Sequence, residues 1–164
     1  MDIQLEAVDS FNQAAFVNIF NLYHHDRALY FPELYPHVDD EGYFDKDVPI
    51  DLAAMSPNEV LCHLIRFNGK FAGLLVVSFA PYVKPDTEFC IQEIFVLNSH
   101  RRLGIARAAC KLLFDDHSGR YCLSASNNDS GALAFWDKLM ADECELISKE
   151  ADGEDLICYK FITK

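Results

Sequence analysis

The feature that most constrains this 164-residue chain is a strand that passes through a short loop into a helix near its middle. Residues 89–97 are rich in β-branched and aromatic residues, which is typical of a strand. Asn98 and Ser99 interrupt that pattern. From Leu103 to His117 apolar residues recur at spacings of three and four, which predicts a helix. Because residues 120–125 have the pattern of another strand, the unit predicts a right-handed parallel crossover and an α/β fold.

The first turn of the predicted helix suits an anion. The first N–H groups of a helix have no partner inside it, and the macrodipole places partial positive charge there. A phosphate can settle on these donors, and Gly104 and Ala106 keep bulky side chains away from them. Four basic residues add counter-charge: Arg101, Arg102, Arg107 and Lys111. A solvated basic start to an amphipathic helix explains the same residues about equally well.

The spacing Arg101-x-x-Gly104-x-Ala106 after an apolar strand resembles the acyl-CoA signature of the GNAT superfamily of N-acetyltransferases, Gln/Arg-x-x-Gly-x-Gly/Ala. The order of predicted elements resembles that family over most of the chain. The resemblance implies that backbone amides of the loop hold the pyrophosphate of acetyl-CoA and that the strand pairs with its pantetheine arm. The implied cofactor contacts are Ile94, Phe95, Val96, Arg101, Arg102, Leu103, Gly104, Ile105, Ala106 and Arg107.

The predicted order of elements is β-α-α-β-β-β-α-β-α-β-β in one domain spanning residues 1–164. Ser10 and Gln13 form a capping-box signature that opens the first helix, and residues 30–35 predict a short second helix. Asn68-Gly69 is a strong hairpin signal. The resemblance implies an α/β fold with a mixed, splayed central sheet and helices on both faces.

The acidic segment between residues 37 and 58 has no convincing periodicity. A long irregular segment in a compact domain is often a binding loop, although a surface excursion is equally consistent with this one. Residues 51–55 could form one helical turn. The segment lies within residues 1–60, which contain twelve acidic and two basic residues and so have a net charge of −10.

The formal net charge of the chain is −12, which argues against a nucleic-acid partner. Such a surface attracts a cationic molecule or basic peptide, and solubility alone explains the acidic excess equally well. No signal peptide or membrane-length apolar run is visible, so we expect a cytoplasmic protein without a membrane partner.

The six cysteines do not form a metal or disulfide pattern. No pair has the spacing Cys-x-x-Cys, and no cluster of cysteine and histidine has the spacing of zinc ligands. Each cysteine falls within an apolar strand or helix pattern, where a free thiol packs as a small hydrophobe. We therefore expect reduced, structural thiols and no metal.

Glu93 is the candidate general base. An ammonium group must lose a proton before it can attack a thioester, and Glu93 lies on the strand at a place where GNAT enzymes often carry a carboxylate. A solvent-facing sheet carboxylate is the plainer interpretation. His24, His25 and Asp26 are alternatives, although a histidine pair there could equally interact with the helix dipole. Backbone N–H groups of the splayed strand would stabilise the oxyanion.

A second segment, Ala132-Leu-Ala-Phe135-Trp136, resembles the GNAT pattern Asn-x-x-Ala-x-x-Phe-Tyr. The tyrosine that often protonates the leaving thiolate is Trp136 here, as in a bacterial GNAT-like subset with Phe-Trp, and an indole is no practical proton donor. Strict register places Asp129 at the asparagine position, whereas the resemblance favours Asn128, one residue earlier, as a cofactor contact. Phe135 and Trp136 are either core aromatics or lining of the pantetheine channel.

The sequence therefore predicts an N-acetyltransferase that moves an acetyl group from acetyl-CoA to a primary amine of a small molecule or peptide, by direct transfer in a ternary complex. A non-catalytic acyl-CoA-binding or regulatory module is the alternative. An unrelated phosphate-binding domain is a third reading, but neither of the usual glycine-rich nucleotide motifs occurs. We expect a cationic acceptor, and a homodimer remains open.

Overall fold

The computed structural model describes residues 2–164, which form seven strands and four α-helices. The strands are β1 (Ile3–Ala7), β2 (Val60–Phe67), β3 (Lys70–Ser78), β4 (Phe89–Val96), β5 (Arg120–Ser126), β6 (Cys144–Ala151) and β7 (Leu156–Thr163). The helices are α1 (Gln13–Arg27), α2 (Asp47–Ala54), α3 (Ile105–Asp116) and α4 (Ser130–Glu143). A 3₁₀ turn at Asn98–His100 precedes α3. The predicted order of elements is confirmed.

The strands form one mixed sheet in the order β1-β2-β3-β4-β5-β7-β6. Every neighbouring pair is antiparallel except β4 and β5, which are parallel. Parallel neighbours need a crossover connection, and α3 provides it. The predicted mixed sheet is therefore present. Its one parallel pair, β4 and β5, includes β4, the strand that carries Glu93.

Two apolar clusters pack on the sheet. One joins α1, through Phe16 and Phe20, to Leu74 and Val76 of β3. The other joins α3 and α4 to the sheet around Tyr121. Because an amphipathic helix must bury its apolar stripe, the two sets of helices hold the sheet between them. None of the helices within residues 2–164 is long and apolar enough to cross a bilayer.

The predicted second helix at residues 30–35 is wrong. That segment consists of turns, and the second helix is α2, within the acidic segment. Asp45 starts it by accepting hydrogen bonds at Oδ1 from the amides of Asp47, at 3.1 Å, and Val48, at 3.2 Å. Pro49 occupies the first turn, where its missing N–H costs nothing.

The start of α1 also differs in detail from the prediction. The reciprocal capping pair is Asp9 and Asn12 rather than Ser10 and Gln13. The Asp9 amide donates to Asn12 Oδ1 at 2.8 Å, and the Asn12 amide donates to Asp9 Oδ1 at 3.2 Å. The capping box that satisfies the unpaired amides before α1 is therefore present, but it lies one residue earlier in the sequence than predicted.

The hairpin between β2 and β3 turns at Asn68 and Gly69, as predicted. Both residues have positive φ values, 50° and 78°, which a type I′ turn requires. The thiols of all six cysteines are free.

Candidate active site

The central feature of the site is the point where β4 and β5 separate. The two strands pair only at Phe89–Tyr121, Cys90–Cys122 and Ile91–Leu123. A bulge at Gln92 follows, because Ile91 faces Val77 while Glu93 faces Val76. From there β4 continues to Val96 without a partner on the β5 side. Unpaired backbone N–H and C=O groups line this edge and can bind an extended ligand.

A second group of unpaired donors lies where the chain enters α3. Gly104 is the N-cap residue with φ 80°, a left-handed conformation that suits glycine. The first bond of the helix runs from the Ala108 amide to the Gly104 carbonyl at 3.0 Å. The amides of residues 102–107 donate to no acceptor within residues 2–164. The structure thus has free amides at the place where the sequence predicts an anion site.

The basic side chains near this turn are mostly engaged by acids. Arg101 pairs with Asp26 of α1, and its Nε donates to the Val96 carbonyl at 2.9 Å. Arg107 reaches both Asp142 and Glu143 at the end of α4, at 2.6 Å in each case.

Lys111 also pairs with Glu143, at 2.9 Å. Of the four basic residues, only Arg102 makes no ion pair within the described chain. The donors that remain without an acceptor at the start of α3 are therefore mostly backbone amides, because acids pair with three of the four basic side chains.

Glu93 lies on the α1 side of the sheet, because the bulge at Gln92 shifts the alternation of β4. Tyr23 of α1 donates its phenolic hydrogen to Glu93 Oε2. Arg27 donates to the Tyr23 hydroxyl at 2.9 Å and lies 4.0 Å from Glu93 Oε2. The Glu93 side chain is 26 % exposed.

Burial raises the pKa of Glu93 above its usual value, and the Tyr23 hydrogen bond and the Arg27 charge oppose that rise. Burial and the neighbouring Glu93 charge raise the pKa of Tyr23 well above its usual value, so its hydroxyl stays a donor. The result is a carboxylate that is held in place by two groups of α1 and binds protons more readily than an exposed glutamate.

Sequence reasoning missed Tyr23 and Arg27. The one available signal was their i, i+4 spacing, which places both on one face of α1. The guanidinium of Arg27 also lies over the Phe31 ring, at 4.8 Å from its centroid.

The alternative bases occupy other positions. His24 is 3 % exposed and stacks on Tyr35 at 4.9 Å, and burial lowers its pKa. His25 is exposed. Asp26 is engaged by Arg101. Of these residues, Glu93 is the one located on the unpaired part of β4.

The residues predicted on α4 divide between surface and core. Asp129 is the N-cap and accepts a hydrogen bond from the Ala132 amide at 2.9 Å. Asn128 is exposed beside it. Trp136 is 5 % exposed within the α3–α4 core, and half-buried Phe135 meets its ring edge-on at 4.8 Å.

Two clefts open near the splay. One of about 340 Å³ lies under the β3–β4 loop, and its floor includes Cys90, Gln92 and Ser124. The other, of about 370 Å³, is acidic and lies between the turn after α1 and the β6–β7 turn; it is lined by Phe31, Glu33, Leu34, Asp152, Glu154, Asp155 and Leu156. Asp152 of the acidic cleft forms an ion pair at 3.0 Å with Lys84 of the first cleft, so the two clefts are neighbours.

Comparison with known proteins finds a sequence family and similar folds. A sequence model of the acetyltransferase (GNAT) family matches residues 18–141. No curated protein sequence matches the chain.

Solved structures resemble it over nearly the full length. An acetyltransferase of the GNAT family from Streptococcus agalactiae superposes with a TM-score of 0.71 at 13% identity, over 99% of this chain and 96% of that one. The PaiA N-acetyltransferase from Thermoplasma acidophilum, solved in complex with coenzyme A, has a TM-score of 0.66 at 11% identity, over 100% of both chains. The ribosomal-protein-S18-alanine N-acetyltransferase from Escherichia coli has a TM-score of 0.60 at 14% identity, over 99% of this chain and 96% of that one. These likenesses show a shared fold.

Proposed function

The chain belongs to the GNAT family of acetyltransferases, and from that membership we propose that it moves an acetyl group from acetyl-CoA to a primary amine. The acceptor is a small molecule or a peptide, and the transfer is direct, within a ternary complex. The observation that carries this proposal is the unpaired edge of β4 leading into a helix start with free amides.

Two sets of backbone donors and acceptors would hold the cofactor. The amides of residues 102–107 would receive the pyrophosphate, with Arg102 as the free counter-charge. The backbone of Ile94, Phe95 and Val96 would pair with the pantetheine arm. Exposed Asn128, just before α4, and half-buried Phe135 of α4 would contact this arm, and Trp136 would support Phe135 from the core.

Arg101 has a different position from the one that a direct phosphate contact requires. It binds Asp26 and the Val96 carbonyl, so its role in cofactor binding would need it to release both. Leu103, Gly104, Ile105, Ala106 and Arg107 would contribute through their backbone. The Arg107 side chain remains with α4 in this arrangement.

Glu93 would accept the proton of the attacking ammonium, directly or through a water molecule. A base is most effective when its pKa approaches the working pH, and burial shifts the Glu93 pKa in that direction. Tyr23 and Arg27 would hold the carboxylate toward the unpaired strand. Acetyl-CoA supplies the thioester, whose thiolate is a tolerable leaving group with a thiol pKa of about 8.5. Turnover therefore does not require an acid at Trp136.

The acidic cleft favours a cationic acceptor. Three acidic residues of the β6–β7 turn, Asp152, Glu154 and Asp155, line it together with Glu33 and Phe31. Such a surface raises the local concentration of ammonium groups. A polyamine, an aminoglycoside or a peptide N-terminus has the required charge.

The test begins with thermal unfolding in the presence of acetyl-CoA. A ligand that binds only the folded state stabilises it by about 2.7 kcal/mol at about 100 times its Kd. Arg102→Glu should abolish the shift because it places a carboxylate among the amides. Lys70→Glu, a charge reversal on the exposed β2–β3 hairpin, is the matched control and should retain it.

Release of free thiol is then measured with a panel of polyamines, aminoglycosides, amino acids and peptides. Turnover with a cationic acceptor supports the enzyme. A thermal shift without turnover on any acceptor favours the alternative, a non-catalytic acyl-CoA-binding module. No shift at millimolar acetyl-CoA refutes both.

A further inference from the structure

A group of thiols outside the proposed catalytic groups lies on one face of the sheet. Cys90 of β4 and Cys122 of β5 are direct register partners in the middle of the only paired stretch of these strands. Neighbouring strands lie about 4.8 Å apart, which is within the Cα separation of about 4.4–6.8 Å that a disulfide tolerates. Cys158 of β7 is a third thiol close by. The backbone therefore already places Cys90 and Cys122 within bridging distance.

The surroundings of Cys122 favour a thiolate. The adjacent Cys90 thiol lowers the pKa of Cys122 to about 6, against the effect of burial. Thr87 Oγ1 lies 3.4 Å from Cys122 Sγ, and the backbone and ammonium group of Lys84 add to the effect. The same interaction raises the pKa of Cys90. One proton therefore leaves the pair readily, and the other is retained between the two sulfurs.

The charged groups around the pair come from three elements. Lys84 lies in the β3–β4 loop and pairs with Asp152 at 3.0 Å. Cys158 faces the pair from β7, and its negative form would disfavour charge on Cys122. Lys84 is thus the cation that holds a thiolate here, and Asp152 limits its effect.

Solvent reaches this pair through the cleft under the β3–β4 loop. Cys90 forms part of the cleft floor, whereas Cys122 is buried behind it. A second pair of neighbouring thiols, Cys110 and Cys144, provides a contrast. Both are buried in the α3–α4 core, and burial raises the pKa of each, that of Cys144 to about 11.

We propose that Cys90 and Cys122 form a redox-active dithiol, which hydroperoxides oxidise to a disulfide across the closed end of the splay. The stable thiolate is buried Cys122, and Cys90 becomes the thiolate when the proton retained by the pair moves to Cys122. Because the cleft exposes Cys90, this less populated form attacks the peroxide. The O–O bond breaks and the Cys90 sulfur becomes a sulfenic acid. The other oxygen leaves with the proton that Cys122 held, as water from hydrogen peroxide or as an alcohol from an organic hydroperoxide. Cys122, now a thiolate, attacks that sulfur, the S–S bond forms and the S–O bond breaks. The hydroxide leaves as water by taking back the proton that the pair had released to solvent. The peroxide is the two-electron oxidant, and the two thiols are oxidised.

This dithiol is independent of acetyl transfer, and its test needs no cofactor. The full chain is treated with hydrogen peroxide, remaining thiols are alkylated, and tryptic peptides are analysed without reduction. Trypsin cleaves after Arg101, Arg120 and Lys138, so Cys90 and Cys122 lie on different peptides. We expect one cross-linked pair joining them, with a loss of two hydrogen atoms, while Cys110 and Cys144 stay reduced.

The pH dependence of alkylation in the untreated protein is the second measurement. We expect one thiol of the Cys90–Cys122 pair to react with iodoacetamide with a midpoint near pH 6, at least a full unit below an ordinary cysteine at about 8.5. Cys122→Ser should return Cys90 to ordinary reactivity. Cys158→Ser is the matched control and should keep both the midpoint and the cross-link.

Three results would overturn the proposal. The first is a cross-link that involves Cys158 instead of the named pair. The second is oxidation of Cys110 and Cys144 at the same rate. The third is an alkylation midpoint that Cys122→Ser leaves unchanged.

Discussion

Removing the hydroxyl of Tyr23 should raise the pKa of Glu93. That hydroxyl donates a hydrogen bond to the carboxylate and thereby opposes the effect of burial. A hydrogen bond to a charged group contributes about 1.5–3 kcal/mol, and one pKa unit corresponds to about 1.4 kcal/mol. Tyr23→Phe should therefore raise the Glu93 pKa by about one to two units.

The pH profile of kcat/KM measures this change, because its acid limb reports the essential base of the free enzyme. In Tyr23→Phe the limb should move to higher pH by the same amount, and in Glu93→Gln it should disappear. Tyr43→Phe is the matched control, since its hydroxyl bonds to Asn18 at 3.0 Å and not to Glu93. An acid limb that Tyr23→Phe leaves in place would refute Glu93 as the base.

Stability gives a second readout that does not need turnover. A carboxyl whose pKa is raised by folding binds its proton more tightly in the native state than in the unfolded state. The contribution of Glu93 to the free energy of unfolding therefore falls as pH rises from about 4.3, the unfolded value, through the folded pKa. Tyr23→Phe should steepen this fall and extend it to higher pH, and Glu93→Gln should remove it. The reverse slope in Tyr23→Phe would contradict the assigned hydrogen bond.

Three further predictions concern the cofactor site and the elements that support it. Asp26→Asn should free Arg101 from a partly exposed ion pair, whose strength of about 0.2–1 kcal/mol corresponds to tighter acetyl-CoA binding by up to about fivefold. Calorimetry measures that Kd, and weaker binding would mean that Asp26 positions Arg101 instead of competing for it. Gly73→Ala should cost about 3 kcal/mol or more in urea unfolding, because its Cβ would lie 1.9 Å from the Phe95 carbonyl oxygen. Gly153→Ala is its control, since open space surrounds it and only the positive φ costs about 1 kcal/mol; equal costs would show that β3 and β4 can separate. Asp129→Ala should lower stability by about 1 kcal/mol by removing the N-cap of α4, as measured by thermal unfolding, whereas Asn128→Ala should not.

Local sequence signals were sufficient for several parts of this protein. The Asn68-Gly69 turn needs only two residues that tolerate positive φ, and the chain has them. The end of β4 and the start of α3 are predicted by the pattern of apolar residues, which changes within a few residues from that of a strand to spacings of three and four. Gly104 takes a left-handed conformation that suits glycine, and the helix start that follows it has free amides like any other. Each of these features depends on residues that are neighbours in the chain, so the order of elements and the free amides at the start of α3 could be predicted.

Tertiary structure decided which side chains are free to act. Arg101 meets Asp26 from 75 residues away, and Tyr23 meets Glu93 from 70 residues away. Periodicity cannot show such pairs, since it depends on spacing along one helix or strand, whereas these contacts depend on how α1 packs on the sheet. The bulge at Gln92 likewise turns Glu93 toward α1, against simple alternation. The sequence therefore indicated Glu93 and the start of α3, but their hydrogen-bond and ion-pair partners are set only when distant elements pack together.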